Sequence, residues 1–314
     1  MQNNPTVAVG ICTYKRAESL SRLLRSLQET IASARRPVEI IIVDNDGSDS
    51  SLRTKIFTIA EELGLEVDYS IEATPGISAA RNAILDRASE LGIDLLAMID
   101  DDEWASRSWL SALLREKQES GAIVVGGPVS PVFPPSNQAL KKYSRFWSVE
   151  KQFVGGKPFV FCTCNFLIDL PAIKHLERPL FEEKFGLSGG GDTAFFRRLF
   201  LAGFKMAWAD KALVHEEVPP ARASLKWMMQ RKYRVGNHAV RWEQVGGSPI
   251  KVLLKSVCLA IRLPIYPLLR REPEAPLFGW LVEFEKVRGR FSAHFGSVFF
   301  EYKRETNKSP PCRI

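Results

Sequence analysis

Four consecutive acids, at positions 100–103, follow the apolar run 95–99 in this chain of 314 residues. The apolar run is typical of a buried strand, so the four carboxylates would leave the core together. Like charges a few Å apart raise one another's pKa unless a cation compensates them. Mg²⁺ and Mn²⁺ prefer carboxylate oxygens, and open α/β sheets bind ligands at the carboxyl ends of their strands. We therefore predict a divalent-cation site here, since a loop that only capped the next helix would need one acid.

A second candidate carboxylate, Asp192, follows three glycines at 189–191 and begins a predicted helix over 192–202. It could cap that helix or take part in chemistry, and the glycines would let its loop adapt. His215, Glu216 and Glu217 follow a predicted strand over 212–214 and could reach the same edge as the acid run. A lone histidine is more often structural, so both roles stay open for His215.

Three further loops place polar side chains where predicted strands end. They are residues 12–16 (CTYKR), 44–48 (DNDGS) and 75–82 (PGISAARN). Each is by itself compatible with an ordinary charged turn or helix start. Because parallel strands end at one edge of a sheet, we expect all three loops to lie beside the acid run.

The elements that would position these residues alternate between strand and helix. Apolar runs predict strands over 7–12, 38–43, 67–71, 95–99, 123–125, 160–168 and 205–208. Apolar residues at helical spacing predict helices over about 20–31, 51–63, 77–91 and 108–117. The fold class is therefore α/β, a mostly parallel sheet covered by helices on both faces, with a long excursion over residues 128–157.

Composition is that of a globular protein, with 45% hydrophobic and 25% charged residues. The five cysteines are odd in number and lack the spacing of a metal site, which favours a reducing compartment. The polar residues at 1–5 argue against a signal peptide.

Positive charge is concentrated at the C-terminal end. Residues 222–314 hold 18 Lys and Arg against 7 Asp and Glu, a net charge of +11, whereas residues 1–221 hold 25 against 29, a net charge of −4. We therefore expect a catalytic domain over 1–221 and a basic helical region over 222–314 with its own anionic partner.

The segment 250–271 predicts how that basic region is used. It has no apolar stretch long enough to span a membrane, and Lys251, Lys255 and Arg262 would share one face of a helix that Pro264 and Pro267 end or kink. This pattern, with Arg270 and Arg271 after it, favours a helix lying in an anionic membrane interface; the alternative is a core helix. No nucleic-acid-binding motif accompanies the charge, so nucleic acid is not an expected partner.

Neither GxxxxGK nor a strand-linked GxGxxG occurs, which argues against ATPases and nicotinamide dehydrogenases. The motifs present are, in order, ICTYKR, VDNDGS, PGISAARN, IDDDEW, FGLSGGGD and VHEEVPP. With these motifs, residues 6–245 resemble the family 2 glycosyltransferases, nucleotide-sugar enzymes of the GT-A (Rossmann-like) fold, and most of all those of bacterial exopolysaccharide synthesis.

The resemblance implies an inverting, metal-dependent hexosyltransferase. Its donor would be a nucleotide sugar, with UDP the usual nucleotide, and its cofactor Mn²⁺ or Mg²⁺. Its acceptor would be a hydroxyl of a glycan or of an oligosaccharide carried on a polyprenyl diphosphate. Such an acceptor implies a peripheral enzyme on the cytoplasmic face of the inner membrane.

The resemblance also implies roles for individual residues. Those expected to bind the nucleotide sugar are Thr13, Tyr14, Arg16 and Asp44 around the base, Arg81 at the base or diphosphate, Asp100 near the ribose, and Asp101. Asp102 is expected to bind the metal, with His215 or Glu216 as a further contact, and Asp192 to act as the general base. The family often has Glu-Asp where this chain has Gly191-Asp192, so a role of that Glu is absent or falls to Glu182 or Glu183.

Two other classes of protein are compatible with an alternating fold. A sugar-phosphate nucleotidylyltransferase would begin with a glycine-rich GGxGxR-like loop after the first strand, where this chain has ICTYKR. A catalytically inert carbohydrate-binding or assembly protein would not need Asp100, Asp102 and Asp192 together. We therefore favour the glycosyltransferase.

Overall fold

A computed structural model describes residues 4–48, 50–183, 190–244, 247–265 and 276–297. The strands are β1 (Val7–Thr13), β2 (Glu39–Asp44), β3 (Val67–Ile71), β4 (Leu95–Ile99), β5 (Glu103–Ala105), β6 (Val124–Gly126), β7 (Val129–Val132), β8 (Gln152–Val154), β9 (Lys157–Phe159), β10 (Asn165–Asp169), β11 (Met206–Trp208) and β12 (Val214–Glu217). The helices are α1 (Ala17–Ala34), α2 (Ser50–Leu63), α3 (Ile77–Glu90), α4 (Trp109–Ser120), α5 (Leu170–Ile173), α6 (Gly191–Leu201), α7 (Leu225–Gln244), α8 (Pro249–Arg262) and α9 (Pro276–His294). Short 3₁₀ turns cover Pro135–Phe146 and Leu263–Ile265.

The central sheet has seven strands in the order β11-β6-β10-β4-β1-β2-β3. All neighbours are parallel except at β10, which runs antiparallel to β4 and β6. Helices α1, α2 and α3 make the crossovers between β1, β2, β3 and β4, so these strands end at one edge. The predicted α/β class, with its mostly parallel sheet, is confirmed.

Alternate residues of β1 face two separate cores. Val7, Val9 and Ile11 pack with the buried leucines of α1, whereas Ala8 packs with the opposite layer, which contains α3. Gly10 also faces α3, where a Cβ would lie 2.6 Å from Cγ2 of Ile84. This close approach holds α3 tightly against β1 and so fixes the helix that carries Arg81.

Two predicted strand boundaries were wrong in ways that affect the site. The strand predicted over 160–168 begins only at Asn165, because its partner β4 ends at Ile99, which lies opposite Asn165. The strand predicted over 212–214 instead runs as β12 through Glu217, because it pairs with both β5 and β7 in a small three-stranded sheet. The excursion over 128–157 is built from β7, a 3₁₀ segment and the hairpin β8-β9, which ends at Phe159.

The C-terminal helices are joined to the rest of the protein by a third apolar core. This core combines Phe133 and Trp147 of the excursion with Met228 of α7 and Phe278 of α9. Val218 belongs to it as well, so buried contacts cross the boundary at 221/222 that the charge pattern predicts. The division into two domains stays a prediction.

Helices α7 and α9 cross at two glycines. A Cβ on Gly236 would lie 1.9 Å from the carbonyl oxygen of Lys286, and one on Gly289 would lie 1.9 Å from that of Tyr233. Helix α8 is held to this pair by Glu243, which accepts hydrogen bonds from Arg290 and Lys255. Within the described part of the chain, no helix combines the length and the apolar character needed to cross a bilayer.

Candidate active site

Asp44 ends β2 and is buried at the floor of a pocket of about 310 Å³. Its carboxylate accepts a hydrogen bond of 2.8 Å from the hydroxyl of Tyr69 and one of 2.9 Å from the backbone N–H of Asp46. The pocket is lined by Lys15, Ala17, Asp44, Asp46, Ser48 and Leu52. Tyr14 lies next to it with 41% of its surface exposed and with the ammonium of Lys15 5.2 Å from the centre of its ring. An exposed ring beside a buried acceptor is suited to stacking on a planar, hydrogen-bonding group.

The acid run meets the β1 loop at its end. Asp101 is buried and accepts a hydrogen bond of 2.9 Å from the hydroxyl of Thr13 and one of 2.8 Å from Arg16. The same guanidinium nitrogen of Arg16 lies 2.7 Å from Asp102. Asp102 is more exposed than Asp101 and faces the open edge, so Arg16 is the cation that a metal ion would share or displace.

The other two acids of the run are poorly compensated. Burial, with Asp101 and Asp102 as neighbours, raises the pKa of Asp100 to about 7, although Arg81 opposes the shift. Glu103 is buried and accepts a 2.9 Å hydrogen bond from the backbone N–H of Asp100, yet burial still raises its pKa well above the ordinary value. Both carboxyl groups are therefore harder to ionise than usual, and a cation bound beside them would favour their ionised form.

Asp192 lies in the first turn of α6 and faces this edge. One of its oxygens is 3.5 Å from the guanidinium of Arg81, and the other accepts a 3.2 Å hydrogen bond from Thr163. The residue that caps α6 is Gly190, in a left-handed conformation with φ 86°, so Asp192 is not the cap. With its side chain 31% exposed, the carboxylate is oriented by the protein and open to a ligand.

Arg81 is the connection between these two groups of acids. It is buried on α3, it counteracts the raised pKa of Asp100, and it contacts Asp192. Its guanidinium carbon also lies 5.6 Å from the ring centre of Phe181. A buried guanidinium held between two carboxylates can stabilise charge on a ligand without reorganising.

Several positioning contacts were missed by the sequence analysis. Asn82 donates to the carbonyl oxygen of Phe181 at 2.8 Å and accepts from its N–H at 2.9 Å. Asn45 holds the loop before α3 by accepting from the N–H of Gly76. Asn82 and Asn45 belong to the motifs PGISAARN and VDNDGS, whereas Thr163 lies in no motif, and only the fold brings it to Asp192.

His215 and Glu216 point to opposite faces of β12, as alternate residues of a strand do. The ring of His215 stacks on Trp104 at 5.6 Å, away from the acid run. Glu216 lies opposite Glu103, and its pKa is raised by burial and by the charge of Asp102. Of the two residues, the geometry favours Glu216 as a further metal contact and does not support His215.

The donor set fits a hard divalent cation. Asp102 and Glu216 can supply carboxylate oxygens at an edge where several acids lie close together, and Mg²⁺ or Mn²⁺ needs only one or two such groups besides water and phosphate. Among the described residues, no three His, Cys, Asp or Glu side chains are grouped as a preformed metal site. The remaining ligands would therefore come from the substrate and from solvent.

The glycine-rich loop before Asp192 is described only in part. Residues 184–189 lie outside the described residues, as do Pro267, Arg270, Arg271 and Cys312. Glu182 and Glu183 are described, and the carbonyl oxygen of Glu182 accepts a hydrogen bond of 3.3 Å from Ser78 of α3. No hydrogen bond among the described residues brings either carboxylate to Asp192.

Comparison with known proteins identifies the family of this chain. Residues 8–176 match the family model described as glycosyl transferase family 2. Over 230 residues the chain is 36% identical to the succinoglycan biosynthesis protein ExoM of Rhizobium meliloti (strain 1021), covering 73% of this chain and 72% of that protein.

Solved structures share the fold at low identity. S. aureus TarS 1-349 in complex with UDP superposes with a TM-score of 0.51 at 16% identity, covering 93% of this chain and 92% of that one. The mannosyltransferase PcManGT from Pyrobaculum calidifontis, in complex with GDP-Man and Mn²⁺, has a TM-score of 0.50 at 17% identity and covers 95% and 77%. The family match covers more than half of the chain, and the chain therefore belongs to glycosyl transferase family 2.

Proposed function

We propose that this protein is an inverting, metal-dependent hexosyltransferase that moves a sugar from a nucleotide sugar to a hydroxyl of a lipid-linked oligosaccharide in exopolysaccharide synthesis. One observation carries the proposal. The pocket at Asp44, the acids at 100–102 and the pair Arg81–Asp192 come together at one edge of the sheet. The similarity to a succinoglycan biosynthesis protein supports the pathway class, and UDP bound to a structural neighbour supports the choice of nucleotide.

The donor would lie along this edge. Its base would enter the pocket between Tyr14 and Asp44, and its ribose would reach Asp100 and Asp101. Asp102 and Glu216 would hold Mn²⁺ or Mg²⁺ beside the diphosphate. When bound, the cation supplies a Lewis acid for the leaving diphosphate.

Asp192 is the proposed general base. Thr163 and Arg81 each contact one of its oxygens, which fixes the carboxylate with part of its surface open. It would accept the proton of the acceptor hydroxyl as the new bond to the anomeric carbon forms and the bond to the diphosphate breaks. Arg81 would stabilise the negative charge that the diphosphate gains, since it lies between Asp100 and Asp192.

Helix α8 supports a position at a membrane surface. Its inward face buries Val252 and Ser256, whereas the opposite face exposes apolar side chains at helical spacing. These exposed residues are Ile250, Leu253, Leu254, Val257 and Ile261. Ile250 and Ile261 are 69% and 70% exposed, so the helix presents an apolar surface to its surroundings rather than to the core.

Basic residues border this apolar face on one side. Lys251 and Arg262 are exposed at the same angular position on α8, and the Lys255 between them also reaches Glu243 at 2.6 Å. With the net charge of +11 over residues 222–314, this arrangement suits an anionic lipid surface, where a suitably placed base contributes about 1 kcal/mol. The enzyme would then work as a peripheral protein on the cytoplasmic face of the inner membrane, where a lipid-linked acceptor would be available.

The proposed binding to a membrane surface is tested by co-sedimentation with phosphatidylglycerol vesicles at low and high salt. We expect Leu254→Ser combined with Ile261→Ser to stay in the supernatant, while the wild type and the control Leu201→Ser, an exposed leucine on α6, pellet. A double variant that pellets like the wild type would remove α8 from the proposal.

The proposed nucleotide-sugar donor is tested by a thermal-shift screen of UDP, GDP, dTDP and CMP with Mn²⁺ or with EDTA. A nucleotide at 100 times its dissociation constant stabilises the folded protein by about 2.7 kcal/mol, which is easily detected. We expect UDP to give the largest shift, and only with the metal. A protein that no nucleotide stabilises under either condition would overturn the proposed donor class.

A further inference from the structure

Two arginines at the start of the C-terminal helices stack on one tryptophan. The guanidinium carbons of Arg222 and Arg231 lie 5.9 Å and 5.4 Å from the ring centre of Trp227. Arg231 follows Trp227 by one helical turn of α7, and Arg222 precedes the helix. The loop between is fixed, because Trp147 donates to the carbonyl oxygen of Arg222 and Ser224 accepts from the N–H of Trp227. The ring therefore brings two positive charges together on a rigid support.

Among the described residues, neither guanidinium has a carboxylate within 4 Å, whereas Arg16, Arg87 and Arg290 all make such pairs. Arg222 follows the end of β12 by five residues, and its N–H donates to the carbonyl oxygen of Pro219 at 2.8 Å. Two guanidiniums grouped without an ion pair leave fork-shaped donors available for an anion.

The arginine pair borders the active site on the side of the small sheet. Glu216 of β12 lies opposite Glu103 in that sheet, and Glu103 directly follows Asp102 in the chain. The nucleotide pocket, in contrast, is reached from the loops after β1 and β2. The arginines and the pocket therefore approach Asp102 from different elements.

The orientation of α7 supports this placement. His238 lies on the same face as Arg231, seven residues and about 10.5 Å further along the axis. It packs against Gly190, where a Cβ would lie 3.7 Å from its own Cβ, and Gly190 caps the helix that carries Asp192. One face of α7 thus extends from the metal edge to the proposed base.

We propose that Arg222 and Arg231 bind the phosphate group that links the acceptor to its lipid, at a site next to the donor diphosphate but separate from it. This inference rests on the proposed function, because it assigns the acceptor to the phosphate esters. The guanidiniums would fix the phosphate while the face of α7 leads the attached sugar toward Asp192. A phosphate bound here is also negative, so it would be compatible with the excess positive charge of residues 222–314.

The test uses farnesyl diphosphate as a short prenyl diphosphate and farnesol as its uncharged control. Binding is measured by calorimetry on the full chain, with UDP and Mn²⁺ saturating the donor site. We expect farnesyl diphosphate to bind under these conditions and farnesol to bind much more weakly. Arg231→Gln should weaken the diphosphate at least about tenfold, since a hydrogen bond to a charged group contributes about 1.5–3 kcal/mol. Arg222→Gln repeats the test at a residue that lies outside α7, so an effect on helix stability would not be shared by both variants.

Arg288→Gln is the matched control, because it removes one charge from an arginine that stacks on Tyr233 and pairs with Glu285 on the surface of α9. It should change binding less than twofold. If UDP and Mn²⁺ prevent farnesyl diphosphate from binding, the arginines serve the donor diphosphate and the inference is overturned. Wild-type affinity in both arginine variants would overturn it as well. A wild type that binds farnesyl diphosphate but no nucleotide would contradict the proposed function and leave this site standing.

Discussion

Two clusters of buried carboxylates in this protein differ in how their charge is compensated. Glu243 is buried, but Arg290 and Lys255 donate to it directly, and these hydrogen bonds outweigh burial and lower its pKa. At the end of β4, Asp100 and Glu103 have raised pKa values because burial and neighbouring acids are not fully opposed. A carboxylate that the fold neutralises holds helices together, whereas one that it leaves uncompensated marks a place where a ligand completes the charge balance.

The largest effect on stability is expected in the compensated cluster. Arg290→Met leaves Glu243 buried with only Lys255 as its partner, and breaking a buried pair costs about 3–5 kcal/mol. The free energy of unfolding, measured in urea, should fall by that amount. Arg288→Met, which breaks an exposed pair on the same helix, should cost less than about 1 kcal/mol. Equal losses in both variants would show that the buried pair at Glu243 contributes no more to stability than an exposed pair does.

At the catalytic edge the expected loss is in rate rather than in stability. Asp192→Asn should lower sugar transfer at least about 10²-fold, equivalent to about 2.7 kcal/mol, because it removes the proposed general base. Nucleotide affinity should stay within a few fold, and the unfolding free energy should hardly change. Asp86→Asn, an exposed carboxylate of α3, is the control. Near-normal turnover in Asp192→Asn would assign the base to another acid, and Glu183 would be the next to test.

At Glu103 we expect a smaller effect on stability, and here the substitution should stabilise the protein. When folding raises the pKa of an acid, the protein loses stability as the pH increases above the ordinary pKa of that acid, which is 4.5 for Glu103. The reason is that the unfolded chain releases the proton more readily than the folded protein does. Glu103→Gln keeps an acceptor for the N–H of Asp100 and removes this loss. In metal-free protein it should raise the midpoint of thermal unfolding at pH 8 and change it little at pH 4.5. A variant less stable than the wild type at pH 8 would show that the edge is compensated after all.

The long periodic elements could be predicted from the sequence, and the short ones could not. The apolar run at 95–99 predicted β4 to the residue, because a fully buried strand needs uninterrupted apolar side chains. The partly exposed β3 also has the predicted bounds, 67–71. Strand β5 contains an acid and a tryptophan in three residues and shows no period. Strand β12 begins two residues later and ends three residues later than the predicted strand over 212–214. Because alternate side chains of a strand point to opposite faces, this extension separates His215 from Glu216.

The site was predictable where motifs follow strands and not where packing supplies the contact. Asp44, Asp101 and Asp192 could be predicted to lie at one edge of the sheet because each follows a strand or a glycine-rich loop. Thr163 reaches Asp192 only through the fold, and the proposed phosphate-binding Arg231 lies 129 positions after Asp102 in the chain. The net charge of residues 222–314 assigned α7 to a separate basic region. A sum of charges cannot show which face of a helix turns toward the site.

The most direct measurement is a calorimetric titration of UDP and Mn²⁺ into Asp102→Asn beside the wild type. Asp102 is more exposed than Asp101, with which it shares Arg16, so its replacement should leave the unfolding free energy within about 0.5 kcal/mol. The account predicts that metal-dependent UDP binding is lost in this variant while the protein remains fully folded. Wild-type affinity for UDP with Mn²⁺ in Asp102→Asn would contradict the account.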